Sequence, residues 1–129
     1  DADLRGSVLR GASPVDAVFA KADLRECDLS GAVLSGIDLR AARLNGANLS
    51  GANLRGADLS AANLSGADLR GADLTSAKLK ASLLSGARLE KARLDRIDFT
   101  ETVLDEVDLT GANLGEVTLT LRQRIKLKR

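Results

Sequence analysis

Leucine recurs at every fifth residue from Leu4 to Leu119. Of these 24 positions 21 are Leu, and the others are Pro14, Phe19 and Phe99. Two residues before each of them stands most often a small residue, Ala in 16 of the 24 cases. This period fits neither common element. On an α-helix successive Leu would sit about 140° apart and wrap the whole axis. On a flat strand of period two an odd spacing throws successive Leu to opposite faces. Either arrangement leaves much of the Leu set in water, so the chain must turn once per repeat, always in the same sense.

The remaining positions carry turn chemistry. Asp or Asn often stands just before the central Leu, as at Asp23, Asp28, Asp38, Asn48, Asn53, Asp58, Asn63, Asp68 and Asp73. Their side chains can accept hydrogen bonds from nearby backbone amides. Gly often stands two residues after the Leu, as at Gly46, Gly51, Gly56, Gly66 and Gly71. One subset of that column, Lys21, Ala41, Ala61, Ala81, Glu101 and Leu121, lies 20 residues apart and lacks Gly. Phe19 and Phe99 precede members of the same subset. A 20-residue superperiod predicts four repeats per coil and a square cross-section. Leu and small residues then point inward, and the other three positions of each unit point outward.

Stretches such as Ala47-Asn48-Leu49-Ser50-Gly51 and Ala67-Asp68-Leu69-Arg70-Gly71 resemble the A(D/N)LXX motif of the pentapeptide repeat family. The 24 units cover 120 of the 129 residues. The resemblance implies an all-β solenoid, a right-handed quadrilateral β-helix, here of about six coils of four pentapeptides. At the strand spacing of about 4.8 Å such a rod is roughly 24–29 Å tall. Each buried Leu contributes about 1.5–3 kcal/mol, offset largely by chain entropy. The run from Ala47 to Thr75 lies close to the repeat consensus, as in a repeat domain cut from a larger protein or a designed one. The expected organisation is a repeat β-helix over residues 1–121, with an irregular N-terminal edge coil over 1–21 and a separate basic element over 122–129.

Three places depart from the pattern. The first is Ser13-Pro14-Val15-Asp16, where Pro removes an amide donor; this suits an edge coil, with a binding loop as the alternative. The second is Leu83 and Val103, apolar residues at an outward position 20 apart. They are either scattered surface aliphatics or a small contact patch. The third is the tail. Leu119, Leu121, Ile125 and Leu127 alternate with Arg122, Arg124, Lys126 and Lys128, which predicts a terminal strand. That strand would cap the open coil or join a homodimer.

The net charge of +1 hides an asymmetry. Residues 122–129 carry five positive charges, so the rest of the chain is −4. Between Ile97 and Leu121 stand six acids and no base: Asp98, Glu101, Asp105, Glu106, Asp108 and Glu116. Either the tail folds onto this acidic coil, in cis or across a dimer, or the coil is an acidic surface for a partner.

Composition narrows the function. The chain has no His, one Cys and two aromatic residues. Imidazole catalysis, His metal sites and internal disulfides are excluded. Without interleaved aromatics, direct nucleic-acid binding is not expected. No GxxxxGK[ST] loop occurs, and neither a cofactor nor a metal is expected. No run approaches the roughly 18 apolar residues of a membrane span, and the first residues do not read as a charged-then-apolar leader, so none is expected. With Asp1 in place of Met, a processed or trimmed chain is expected. The lone Cys27 fits a reducing compartment, so a cytoplasmic location is expected. These features read as a non-enzymatic, rigid scaffold that binds an unknown protein partner through its outer surface. The resemblance implies an alternative, a DNA-mimicking protein that binds DNA gyrase and protects against quinolone-type inhibitors. The family's gyrase-binding members are strongly acidic, whereas Arg40, Arg43, Arg55, Arg70, Lys78, Lys80 and Arg88 interrupt this chain.

Overall fold

In the computed structural model, which describes residues 2–14 and 17–126, the repeat closes into a stacked coil. Parallel bridges join residues 20 apart from Asp3↔Asp23 to Asp98↔Thr118, so four pentapeptides make one turn. The unit 47–51 shows why the arrangement is stable. Ala47 N donates to Leu44 O at 3.0 Å and closes the corner. Asn48 N donates to Cys27 O (2.8 Å) in the preceding turn, while Leu49 N and Gly51 N donate to Asp68 O (2.7 Å) and Arg70 O (2.9 Å) in the next. The fifth amide, Ser50 N, is taken by Asn48 Oδ1 at 3.0 Å. All five backbone donors of the unit are thereby bonded, as a dry, stacked backbone requires. The Asp/Asn column exists to supply the acceptor that the ladder cannot.

The corners are type II turns, whose third residue needs a positive φ. Gly51 sits at φ 66° and Gly71 at 67°. The Gly-poor subset keeps the same geometry at its first members: Lys21, Ala41, Ala61 and Ala81 have φ of 57–61°.

Inside, the Leu and Ala columns are sealed. From Ala42 to Leu69 every Ala and Leu of the two columns is at most 1% exposed. Two buried polar side chains that replace Ala donate to a backbone carbonyl. Ser82 Oγ and Thr102 Oγ1 both reach Leu79 O, at 2.8 and 3.0 Å. Phe99 fits the Leu column at 2% exposure. Toward the N-terminus Val33 N still bonds Ala12 O. Pro14 has no amide to donate, and no bridge forms between residues 13 and 33. Val15 and Asp16 of that break lie outside the described residues.

The expected terminal strand does not form. Leu121–Lys126 is a short helix, α1. Thr120 Oγ1 accepts from Gln123 N (3.1 Å) and Gln123 Oε1 accepts from Thr120 N (2.8 Å). This reciprocal capping box specifies a helix start. It overrides an alternation too short to tell a strand from a helix. Leu121, expected on the apolar side of that strand, is 76% exposed. Among the described residues no helix is long and apolar enough to cross a membrane.

Candidate functional site

With the interior filled, what the rod can do depends on its outward side chains. The most regular device there is Asp-Leu-Arg. In Asp23-Leu24-Arg25, Asp23 accepts Arg25 Nε at 2.8 Å and Nη2 at 2.7 Å, while its Oδ1 also faces Arg25 N. Arg5 and Arg43 approach the same carboxylate at 3.7 and 3.6 Å. Hydrogen bonding from the Arg25 guanidinium holds the Asp23 carboxyl at about 2, well below its ordinary range. Asp38 with Arg40 repeats this arrangement, again at about 2, and Asp68 with Arg70 is lowered in the same way. Asp73 is flanked by Arg55 (3.2 Å) and Arg93 (3.8 Å). The N-terminal and middle turns thus present Asp–Arg pairs in which much of the carboxylate charge is compensated.

The last turn differs. Asp98 and Asp108 hold the hydroxyls of Thr100 and Thr110, each at 2.7 Å, as Asp28 and Asp73 hold those of Ser30 and Thr75, and the Asp-Leu-Arg triplet does not occur in this turn. The Thr100 hydroxyl lowers the Asp98 carboxyl. Glu101 faces Lys80 at 3.6 Å, both side chains being well exposed. Asp105 lines a groove with Arg122 beside α1. Glu106 occupies a left-handed corner, φ 59°, and Glu116 N bonds Asp95 Oδ1 at 2.8 Å. These six acids therefore ring one turn.

Leu83 and Val103 are brought together as bridge partners, 40% and 38% exposed. At the C-terminal end, Gln123 Nε2 donates to Phe99 O and to Thr102 O, the latter at 3.0 Å. Residue 123 is 21 positions past Thr102, the register at which a further turn would place its own amide on that carbonyl. Gln123 therefore supplies by side chain the bond a missing turn would make. Arg122 and Arg124 are exposed on α1, and Ile125 and Lys126 complete its backbone. Leu127 and Lys128 lie outside the described residues. Beside α1 an apolar cavity of about 430 Å³ opens at the end of the rod, lined by Phe99, Leu104, Leu109, Leu114, Val117 and Leu119, with Arg124 among its walls. Among the described residues no three metal-ligating side chains cluster.

Sequence reasoning missed Gln123, although Thr120-x-x-Gln123 is a legible capping signal. It also missed the Asp-Leu-Arg chelate, which recurs at 3–5, 23–25, 38–40 and 68–70.

The profile for pentapeptide repeats (8 copies) matches residues 1–36, 37–75 and 82–120. The chain belongs to the pentapeptide repeat family. Among solved structures, this pentapeptide repeat protein is similar to Rfr23, a pentapeptide repeat protein from the cyanobacterium Cyanothece 51142. The two share 28% identity over 92% of this chain and 88% of that one, with a TM-score of 0.61. Full-length QnrB1, a plasmid-mediated fluoroquinolone resistance protein, shares the fold at 17% identity, over 92% of this chain and 73% of that one, with a TM-score of 0.54. These neighbours place the pentapeptide repeat protein among right-handed quadrilateral β-helices. No curated protein matches it in sequence, and no catalytic family is indicated.

Proposed function

We propose that this pentapeptide repeat protein is a non-enzymatic scaffold, a rod of about six coils that holds a protein partner on its outer surface. The carrying observation is the sealed interior: the mid-rod Leu and Ala columns are at most 1% exposed, which leaves the outer side chains to do the chemistry. The partner surface we favour is the last turn, with Asp98, Glu101, Asp105, Glu106, Asp108 and Glu116 beside Leu83 and Val103. It offers both negative charge, which steers association, and an apolar contact. We assign α1 a second role as the element of self-association, and a chain with a single, buried cysteine, Cys27, fits a cytoplasmic setting.

The test is affinity capture by purified protein, with Glu101→Gln/Glu106→Gln/Glu116→Gln and Leu83→Ser/Val103→Ser as variants. A partner bound by the wild type and by an Arg55→Gln control, but lost in both variants, supports the assignment. Equal capture by all four proteins overturns it. Sedimentation of intact protein and of protein ending at Thr120 tests the self-association role of α1.

The alternative is a gyrase-binding DNA mimic. The run of acids in the last turn favours it, while the Asp–Arg chelates of the other turns oppose it, since a phosphate-like array needs uncompensated charge. Inhibition of gyrase supercoiling by the purified protein would support that reading, and absence of binding at low salt would eliminate it.

A further inference from the structure

Apart from the Pro14 break, where no bridge joins residues 13 and 33, one further bridge between turns is missing among the described coil residues. Between 77–81 and 97–101 the bridge expected for Lys78 and Asp98 is missing. Leu79 N does not reach Asp98 O, nor Asp98 N Ala77 O, and Ala81 N donates to Glu101 O (3.0 Å) where the register calls for residue 100. On the same face one turn earlier, Ala61 N donates to Lys80 O as the register requires. Three features coincide at this seam. Phe99 replaces Leu in the inward column. Glu101 is absent from the left-handed corners. Lys78 stands where Asp or Asn would accept the amide two residues on. A cavity of about 350 Å³ opens there, with Ser60, Lys78, Lys80, Asp98 and Thr100 among its lining. The other three faces keep their bridges, at Leu83↔Val103, Arg88↔Asp108 and Arg93↔Asn113.

The seam is also a charge boundary. Residues 77–96 hold six bases and two acids, net +4, and residues 97–116 hold six acids and no base, net −6. Lys80 and Glu101 meet across the seam at 3.6 Å, and Arg88 and Asp108 are bridge neighbours. The two turns attract each other through exposed groups, an attraction that salt screens.

We propose that residues 97–126 form a separable unit that opens from the rod along this seam, and that the +4/−6 charge step holds it shut. Opening is then a sub-global event of its own, governed by ionic strength, and it uncovers the apolar cross-section of the turn beneath. The proposal does not depend on which partner the last turn binds.

Hydrogen exchange of the full chain, followed by mass spectrometry, tests this. Amides of 97–120 should exchange collectively, about tenfold faster than those of 42–72 at low salt, and roughly fivefold faster again in about 0.5 M NaCl. Lys80→Glu, a surface change, should speed the same amides at low salt and abolish part of the salt response. Phe99→Leu, which restores the Leu column, should slow them. Ordinary fraying of a terminal coil predicts instead the same behaviour for residues 2–14. If the two ends respond alike to salt, or if 97–120 respond to neither salt nor Lys80→Glu, the proposal is overturned.

Discussion

Exchanging Gly and Ala between two corners isolates the backbone term of this fold. Gly51 sits at φ 66°, and a Cβ built there meets no heavy atom within 4 Å. Ala61 holds the same left-handed conformation at φ 60°. Gly51→Ala therefore adds no clash, only the left-handed penalty of roughly 1–2 kcal/mol for a residue with a Cβ. Against it stands the reduced entropy of the unfolded chain, about 0.4–1 kcal/mol. The difference leaves Gly51→Ala destabilising by about 0.5–1 kcal/mol and Ala61→Gly stabilising by about the same. For 129 residues that is about 2–4 °C in Tm, downward and upward respectively. The chain has no Trp or Tyr, so the assay is far-ultraviolet circular dichroism. Urea is the denaturant of choice because it leaves ionic strength unchanged. If Ala61→Gly lowers the midpoint, or Gly51→Ala leaves it unmoved, the corner is not carried by conformational strain and the reasoning fails.

Other expectations follow from the core, the chelates and the cap. Leu59→Ala, at a position 0% exposed, should cost about 2–5 kcal/mol in urea titration, and Leu59→Lys should abolish the folded spectrum. Asp23 and Asp38 titrate at about 2 when folded, against 3.8 for the ordinary group. Their folded values are depressed, so their contribution is full above about pH 4 and is lost as pH falls toward 2. Arg25→Gln should return the Asp23 titration toward 3.8 in a carboxyl-resolved NMR series, while Asp38 stays where it is. Gln123→Ala removes the side-chain half of the capping box and the bonds to Phe99 O and Thr102 O. It should erase the small helical signal of α1, at a cost of about 1–3 kcal/mol.

The coil was readable because its signals are redundant. An inward Leu, a small neighbour and an Asx acceptor recur in unit after unit, and each points to the same turn. The Gly-poor subset marked a spacing that the bridges also show, although its Ala members adopt the corner geometry that Gly favours. What escaped reading happens once. At Thr120–Gln123 a four-residue cap competes with a longer alternation, and a period count weighs the alternation more heavily. The Asp–Arg chelate was hidden because charge was summed by segment, which treats Asp23 and Arg25 as separate entries in a total. At Phe99 the composition of the core hardly changes, yet a ring in a Leu slot accompanies the loss of register on one face only. Pattern matching sees the substitution as conservative, while the ladder does not.

The complete hydrogen bonding of unit 47–51, most of it to the turns on either side, has a consequence for how such a rod can vary in length. Twenty extra residues would lengthen it and leave every downstream column in place. Five extra residues would satisfy the same donors and bury the same Leu. They would also index everything beyond them by a quarter turn, carrying Leu83, Val103 and the acids of the last turn onto a different side. Growth by pentapeptides is thus a rotary adjustment, able to re-aim a surface without altering a residue within it.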